Sequence, residues 1–388
     1  MGSNMLDSSG PLQGNSTPGR RAWLRWLPAV AAPIVIAAGA LTGSLPAGAS
    51  NPLPAKTPAQ VLELAGSHQV HTFSGTVEQS AELGLPELPA TGKPSGPAAP
   101  GSAASMIELL SGKHTARIYL DGKDNARVQV MDQMAERDVV RHGNDVWFYT
   151  SKDNTAAHLT LPAHAQDPSL SKDRRGEDGM PAPGDLAQQF LSKVEPTTAV
   201  SVGPDVSVAG RAAYNLLIEP RTDATLVGRV AIAVDGQNGM PLSVEVTARG
   251  ADKPAFRSGF TSLSLDAPDQ SVFTFTPPPG STVKELPAPA MSHDPADAHN
   301  PDARHGDARK DVSVTGTGWE TVVGTARGSA SAAESLLQDP LLSQAAVAVP
   351  AGRLLSTALL NVLITDDGRI FAGIVPPERL QAAAAAAQ

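Results

Sequence analysis

At 388 residues with 41% hydrophobic side chains, the chain can build one large or two ordinary cores, which excludes global disorder. A formal charge of -9 and a pI near 5.5 exclude the basic face of a nucleic-acid binder. The absence of cysteine excludes disulfides and lipoprotein acylation, so Val, Leu, Ile and Ala must supply a core that contains only 4% aromatics.

In chain order, Arg20, Arg21 and Arg25 precede the uncharged, mostly apolar stretch Trp26 to Leu45. That stretch runs into Leu45-Pro46-Ala47-Gly48-Ala49-Ser50, a small-residue A-x-A site. A basic start, an apolar middle and such a site form a secretory signal over 1–49, cleaved after Ala49. The apolar stretch is also about the ~20 residues of a spanning helix, so an uncleaved membrane anchor is the alternative. Arg20-Arg21-Ala22-Trp23-Leu24-Arg25 is similar to a twin-arginine signal, and an ordinary basic n-region reads equally as export.

Thr57-Pro58-Ala59-Gln60 has capping-box spacing with proline in the first turn, and it predicts a short helix. His71 to Leu83 then alternates with period two. Phe73, Gly75, Val77, Ala81 and Leu83 share a face that only Gln79 interrupts, which predicts a strand with one wet side. Gly84 to Ala104 reads as a loop and Ser105 to Leu110 as a helical turn. Strands are predicted over His114 to Leu120, Ala126 to Val130, Arg137 to Arg141, Val146 to Thr150 and Ala156 to Leu161. Asp121-Gly122 and Gly143-Asn144 punctuate them as hairpins. This is an antiparallel meander, not a series of βαβ units.

Pro162 to Pro183 reads as a loop and Asp185 to Val194 as a helix. Strands resume over Ala199 to Val202, Ala212 to Glu219, Arg229 to Asp235, Leu242 to Arg249, Ala255 to Leu265 and Val272 to Thr276. Pro287 to Lys310 is polar, Ala- and Pro-rich, and reads as a linker. Beyond it, Val312 to Val323 is strand-like and Leu336 to Val347 is apolar with a helical look. Leu359 to Ile364 and Arg369 to Val375 flank a hairpin, and a short Ala-rich helix follows Pro377.

Four passages resemble the LolA/LppX/RseB superfamily of periplasmic lipoprotein carriers and lipid-sensing regulators, in particular its actinobacterial LolA-like members. The first is the Thr57 helix leading into His71-Thr72-Phe73-Ser74-Gly75-Thr76-Val77-Glu78-Gln79. The second is His142-Gly143-Asn144-Asp145-Val146-Trp147-Phe148-Tyr149. The third is Val208-Ala209-Gly210-Arg211-Ala212-Ala213-Tyr214-Asn215-Leu216. The last is the turn Val234 to Leu242 with Val272-Phe273-Thr274-Phe275-Thr276 beyond it. The resemblance spans about residues 55 to 284. It implies an α+β, mostly β fold, in which a curved antiparallel sheet, an incomplete barrel, wraps a helical lid around an apolar cavity.

The expected organisation is a signal or anchor over 1–49, a LolA/RseB-like unit over 50–284, a linker over 285–311 and a small C-terminal α/β module over 312–388. The long loop, the linker and the module depart from a minimal carrier. The Ala-, Gly- and Pro-rich usage suits a single-membrane bacterium, which puts outer-membrane lipoprotein delivery in doubt and leaves lipid binding intact.

Residues taken to line an apolar cavity are Phe73, Val77, Ile118, Leu120, Val128, Val130, Trp147, Tyr149, Leu216, Ile218, Ile232, Val234, Phe273 and Phe275. The same residues also read as ordinary sheet core, and alternation alone puts Trp147 and Tyr149 on one face with Phe148 on the other. The expected partner is a lipid or the acyl chain of a lipoprotein. A membrane contact through the N-terminal segment and a membrane-protein partner are further expectations, and nucleic acid is not one. No cofactor, metal or catalytic group is expected: G-x-S-x-G, Walker A, H-E-x-x-H and dinucleotide-binding turns are absent from the sequence. His68 and His71 read as surface polar residues. His293, His299 and His305 read as part of a solvated linker, and Arg137, Asp138 and Arg141 as exposed strand positions.

Overall fold

The computed structural model describes residues 52–84, 112–131, 135–161, 191, 196–286, 312–325 and 345–387. The expected signal segment, the loop and turn over 85–110, the stretch 162–183, the linker 287–310 and most of 336–347 lie outside these residues. So does the helix expected over 185–194, apart from the helical Leu191. No helix among the described residues is long and apolar enough to cross a membrane.

The chain enters through helix α1 (Pro58–Gly66). The Thr57 side chain accepts from the Gln60 amide, the Gln60 side chain accepts from the Thr57 amide, and Pro58 sits where no amide donor is needed. Val61 on its inner side packs on Tyr214, Leu216 and Val234, so one face of the sheet carries α1.

Eleven antiparallel strands follow: β1 (Thr72–Ala81), β2 (Gly112–Asp121), β3 (Asn125–Met131), β4 (Glu136–His142), β5 (Asp145–Thr150), β6 (Thr155–Thr160), β7 (Thr198–Val208), β8 (Arg211–Pro220), β9 (Val227–Asp235), β10 (Pro241–Ala248) and β11 (Pro254–Ser264). Strand β12 (Thr282–Leu286) completes a sheet ordered β12-β6-β5-β4-β3-β2-β1-β11-β10-β9-β8-β7. The sheet is large, curved and open: its two edges do not pair, so no barrel closes. Strand β1 lies between two meanders, β2–β6 on one side and β7–β11 on the other.

Two features of this sheet differ from the sequence reading, and the run expected as strand over Val312 to Val323 is two antiparallel strands, Val312–Thr315 and Val322–Thr325, with a 3-10 turn (Gly318–Glu320) between them. The expected strand over Val272 to Thr276 is instead a 3-10 turn (Gln270–Phe273) and an extended stretch that crosses the sheet. Asp269 caps that turn by accepting from the Ser271 amide at 2.8 Å, and Pro277, Pro278 and Pro279 after it have no amide to offer a ladder. The crossing then delivers β12 to the edge of β6 in parallel, the one parallel pair described in this sheet.

A second sheet runs β13 (Val312–Thr315), β14 (Val322–Thr325), β18 (Ile370–Gly373), β17 (Asn361–Thr365), β16 (Gly352–Ser356) and β15 (Val347–Val349). Helix α2 (Pro377–Ala386) covers it, with Leu380, Ala383 and Ala384 packed on Val322, Leu363 and Phe371. The two sheets meet at Trp319. Its ring joins a cluster with Val230, Val244, Val246 and Phe256, and its Nε1 donates to Thr198 Oγ1 at 2.8 Å.

Candidate functional site

In an antiparallel ladder, directly paired residues put their side chains on the same face, so register decides which candidates can line one surface. On the α1-bearing face, three rows cross the β1–β6 half of the sheet. One is Val77, Ala116, Val130, Arg137 and Thr150; the next is Gly75, Ile118, Val128, Val139, Phe148 and Ala157; the third is Phe73, Leu120, Ala126, Arg141, Val146 and Leu159. The middle row is apolar from β2 to β6. Val139 at 40% and Phe148 at 38% stand exposed in it, and Ile118 and Val128 are half-buried.

The fourteen expected residues do not form one surface. Ten share the α1 face: Phe73, Val77, Ile118, Leu120, Val128, Val130, Leu216, Ile218, Ile232 and Val234. Leu216 and Val234 are fully packed beneath α1, while Ile218 and Ile232 touch both the α1 cluster and the Trp319 cluster. Phe73 and Val77 belong to a central cluster with Leu242 and Phe260, against which Ile118 and Leu120 pack. Only Ile118, Leu120, Val128 and Val130 lie on the open half.

Trp147, Tyr149, Phe273 and Phe275 sit on the opposite face. Trp147 pairs across to Val140 and His158, and its ring stacks on His158 with centroids 4.3 Å apart. Phe275 lies 5.4 Å from the Trp147 ring and 5.8 Å from Tyr149, and the 3-10 turn bearing Phe273 packs on β3 and β4. This aromatic group glues the crossing segment to the back of the sheet. The Gly143-Asn144 hairpin carries the signal for this placement. It pairs His142 with Asp145, which puts Phe148 opposite Val139 and in line with Val128. Val139, Phe148 and Leu159 are therefore members of this apolar surface that the expected set leaves out, with Val146 buried beside them.

The back face holds its charge in pairs. Arg127 donates to both carboxylate oxygens of Asp138, at 3.1 and 2.5 Å, and to the Val272 carbonyl at 3.0 Å. Asp138 is thus buried, contrary to the exposed position expected of it. Burial pushes its carboxyl up from the ordinary range, and the Arg127 contacts only partly offset that. His158 bridges Asp145 at 3.1 Å and Glu285 at 3.0 Å, tying β5 and β12 to β6. On the α1 face, Arg137 and Arg141 of β4 flank the exposed apolar row, and Arg141 donates to the Gly143 carbonyl and to Asp124. His68, the first of the H-x-x-H pair, has Nδ1 2.7 Å from the Ala65 carbonyl at the end of α1. No group of three or more metal-ligating side chains occurs among the described residues.

No protein-family model matches the chain, and no curated protein matches it. Among solved structures it is similar to the MucA/MucB complex of Pseudomonas aeruginosa, at 14% identity over 84% of this chain and 96% of that one, with a TM-score of 0.41. It is also similar to an uncharacterized conserved protein from Thermus thermophilus (11% identity, 58% and 98%, TM-score 0.32). A LolA superfamily protein from Nitrosomonas europaea is a further likeness (14% identity, 57% and 99%, TM-score 0.22). The chain's own architecture is an open, mostly antiparallel sheet with α1 packed on one face.

Proposed function

We propose that the protein is an exported, non-enzymatic binder of a lipid or lipoprotein acyl chain, held along the α1 face of β2–β6. The observation that carries this reading is the row Ile118, Val128, Val139, Phe148 and Ala157, apolar over five strands and left half-exposed at its middle. Four strand spacings make that row about 19 Å long, enough for an extended acyl chain. Each methylene buried there contributes roughly 0.8 kcal/mol, so a long chain outweighs the ordinary costs of association without any catalytic group. An open sheet leaves the row reachable from its edge, and export follows from Arg20, Arg21, Arg25 and the apolar stretch to Leu45.

The test is uptake of a fluorescent acyl probe by the delipidated full-length protein and by Phe148→Asp and Val139→Asp. We expect both variants to weaken uptake at least about ten-fold, because a carboxylate on the row must be desolvated with the chain. Val314→Asp, at an exposed position of the second sheet, serves as the control and leaves uptake unchanged. Unchanged uptake in both row variants would contradict the assignment.

One observation favours a second reading, that of a regulator binding a membrane-protein partner. The second sheet packs through Trp319 on the same face that carries the apolar row, so ligand and module share one surface. Capture of a host membrane protein by the full chain that changes with acyl load would favour this reading. Capture independent of load would count against it.

A further inference from the structure

Gln79 is the one residue that interrupts the apolar alternation of β1, and register shows that it is not alone. It pairs with Ser258 of β11 on one side and His114 of β2 on the other, so three polar side chains line up across the α1 face. The neighbouring rows are apolar: Phe260, Val77 and Ala116 on one side, Phe256 and Ala81 on the other. The inner end of the row is the most unusual part. Ser258 is 0% exposed, and among the described residues its Oγ meets no hydrogen-bond partner. A buried hydroxyl without a partner is a net loss to folding, and an alanine at this position would carry no such group.

We propose that the Ser258–Gln79–His114 row reads the polar linkage of the ligand, the ester or amide carbonyl that joins an acyl chain to the rest of its molecule. This rests on the acyl-binding reading above and adds a substrate class to it: acyl esters and amides in preference to bare hydrocarbon. The row spans two strand spacings, about 10 Å, and passes from fully buried at Ser258 to half-buried at Gln79 and His114. A carbonyl oxygen laid along it accepts from the Ser258 hydroxyl at the inner end. The Gln79 amide supplies a further donor at the outer end, and the acyl chain runs from there over Val77 and Ala116 toward Ile118 and Val128. The arrangement gives direction to a surface that is otherwise apolar, because only one end of the ligand can satisfy the hydroxyl.

The experiment uses the delipidated full chain and two competitors for a fluorescent acyl probe, methyl palmitate and hexadecane. The parent protein should prefer the ester by about five- to ten-fold, the equilibrium share of one net hydrogen bond. Ser258→Ala and Gln79→Leu should each reduce that preference toward unity while leaving hexadecane competition unchanged. Ser258→Ala should also unfold at or above the parent's midpoint, which separates lost recognition from lost structure. Equal competition by ester and hydrocarbon in the parent, or a preference that survives in both variants, would overturn the inference and leave acyl binding standing. Failure of both competitors to displace the probe would remove the acyl-binding reading itself, and this inference with it.

Discussion

Gly75 sits in the middle of β1 because the space a side chain would fill is taken. An added Cβ would lie 2.7 Å from Phe260 Cδ1 and 2.7 Å from the Ser262 carbonyl, and the latter is backbone that cannot swing away. The bare strand lets the Phe260 ring meet Phe73 edge-on with centroids 5.8 Å apart, in the cluster that joins the two meanders. Gly75→Ala should therefore destabilise by about 1–3 kcal/mol, read as a lower urea midpoint at unchanged slope.

Three buried or paired carboxylates set opposite pH trends. Asp367 is held at about 2 by the Thr365 hydroxyl and then by Arg369. Its folded value lies below the unfolded ~3.9, so its contribution is complete above that and is lost as pH falls toward the folded value. Asp235 shifts the same way: burial opposes ionisation, but Arg211 and the Gln237 and Asn238 amides prevail. Asp138 shifts upward through burial, so its contribution to stability weakens as pH rises from ~3.9. Asp367→Asn should make the acid loss of stability shallower between pH about 4 and about 2, measured by thermal midpoint against pH.

The crossing segment shows where local pattern stops and tertiary context begins. Val272, Phe273, Thr274, Phe275 and Thr276 alternate like a strand, yet Asp269 caps a 3-10 turn there and the following prolines prevent a ladder. The alternation survives as packing: Phe275 faces Trp147 and Tyr149 on the back of β5. Phe275→Ala should cost about 1–2 kcal/mol of stability and leave acyl-probe uptake unchanged, since its side chain is on the far face from the proposed row. Loss of uptake at unchanged stability would contradict the division of faces.

The hairpin turns were the most legible part of the site. Asp121-Gly122 joins β2 to β3 and Gly143-Asn144 joins β4 to β5, so the pairs Ile118–Val128 and Val139–Phe148 can be written down from sequence, while the β3–β4 register that aligns the two pairs cannot. Alternation puts Trp147 and Tyr149 on one face, but alternation alone does not say which face of the strand turns toward α1. The parallel docking of β12 left no comparable signal. Thr282 to Leu286 is short, exposed along its length and held by pairing to β6 with His158–Glu285 beside it.

At the scale of the molecule, the same face does three jobs in sequence along the sheet. Under α1 it is solid core, beside Trp319 it docks the second sheet, and over β2–β6 it presents an apolar row to whatever approaches. The strands as elements and helix α1 are readable from period-two alternation and the capping box; the placing of β1 between the two meanders is not. The contact between the two sheets was not, because a single buried Trp319 whose indole donates to Thr198 has no periodic signature. Trp319→Ala should destabilise the full chain by about 3 kcal/mol and make the 312–373 sheet the first region cut in limited proteolysis. Cleavage unchanged from the parent would show that the second sheet holds its place without this anchor.

The central claim is that the α1 face of β2–β6 holds an acyl chain, and native mass spectrometry of the full-length protein with lipid extraction of the same sample tests it most directly. We expect co-purifying acyl species that leave on denaturation and return when the delipidated protein is given lipid. A clean apo mass that stays unchanged after lipid is added would contradict it.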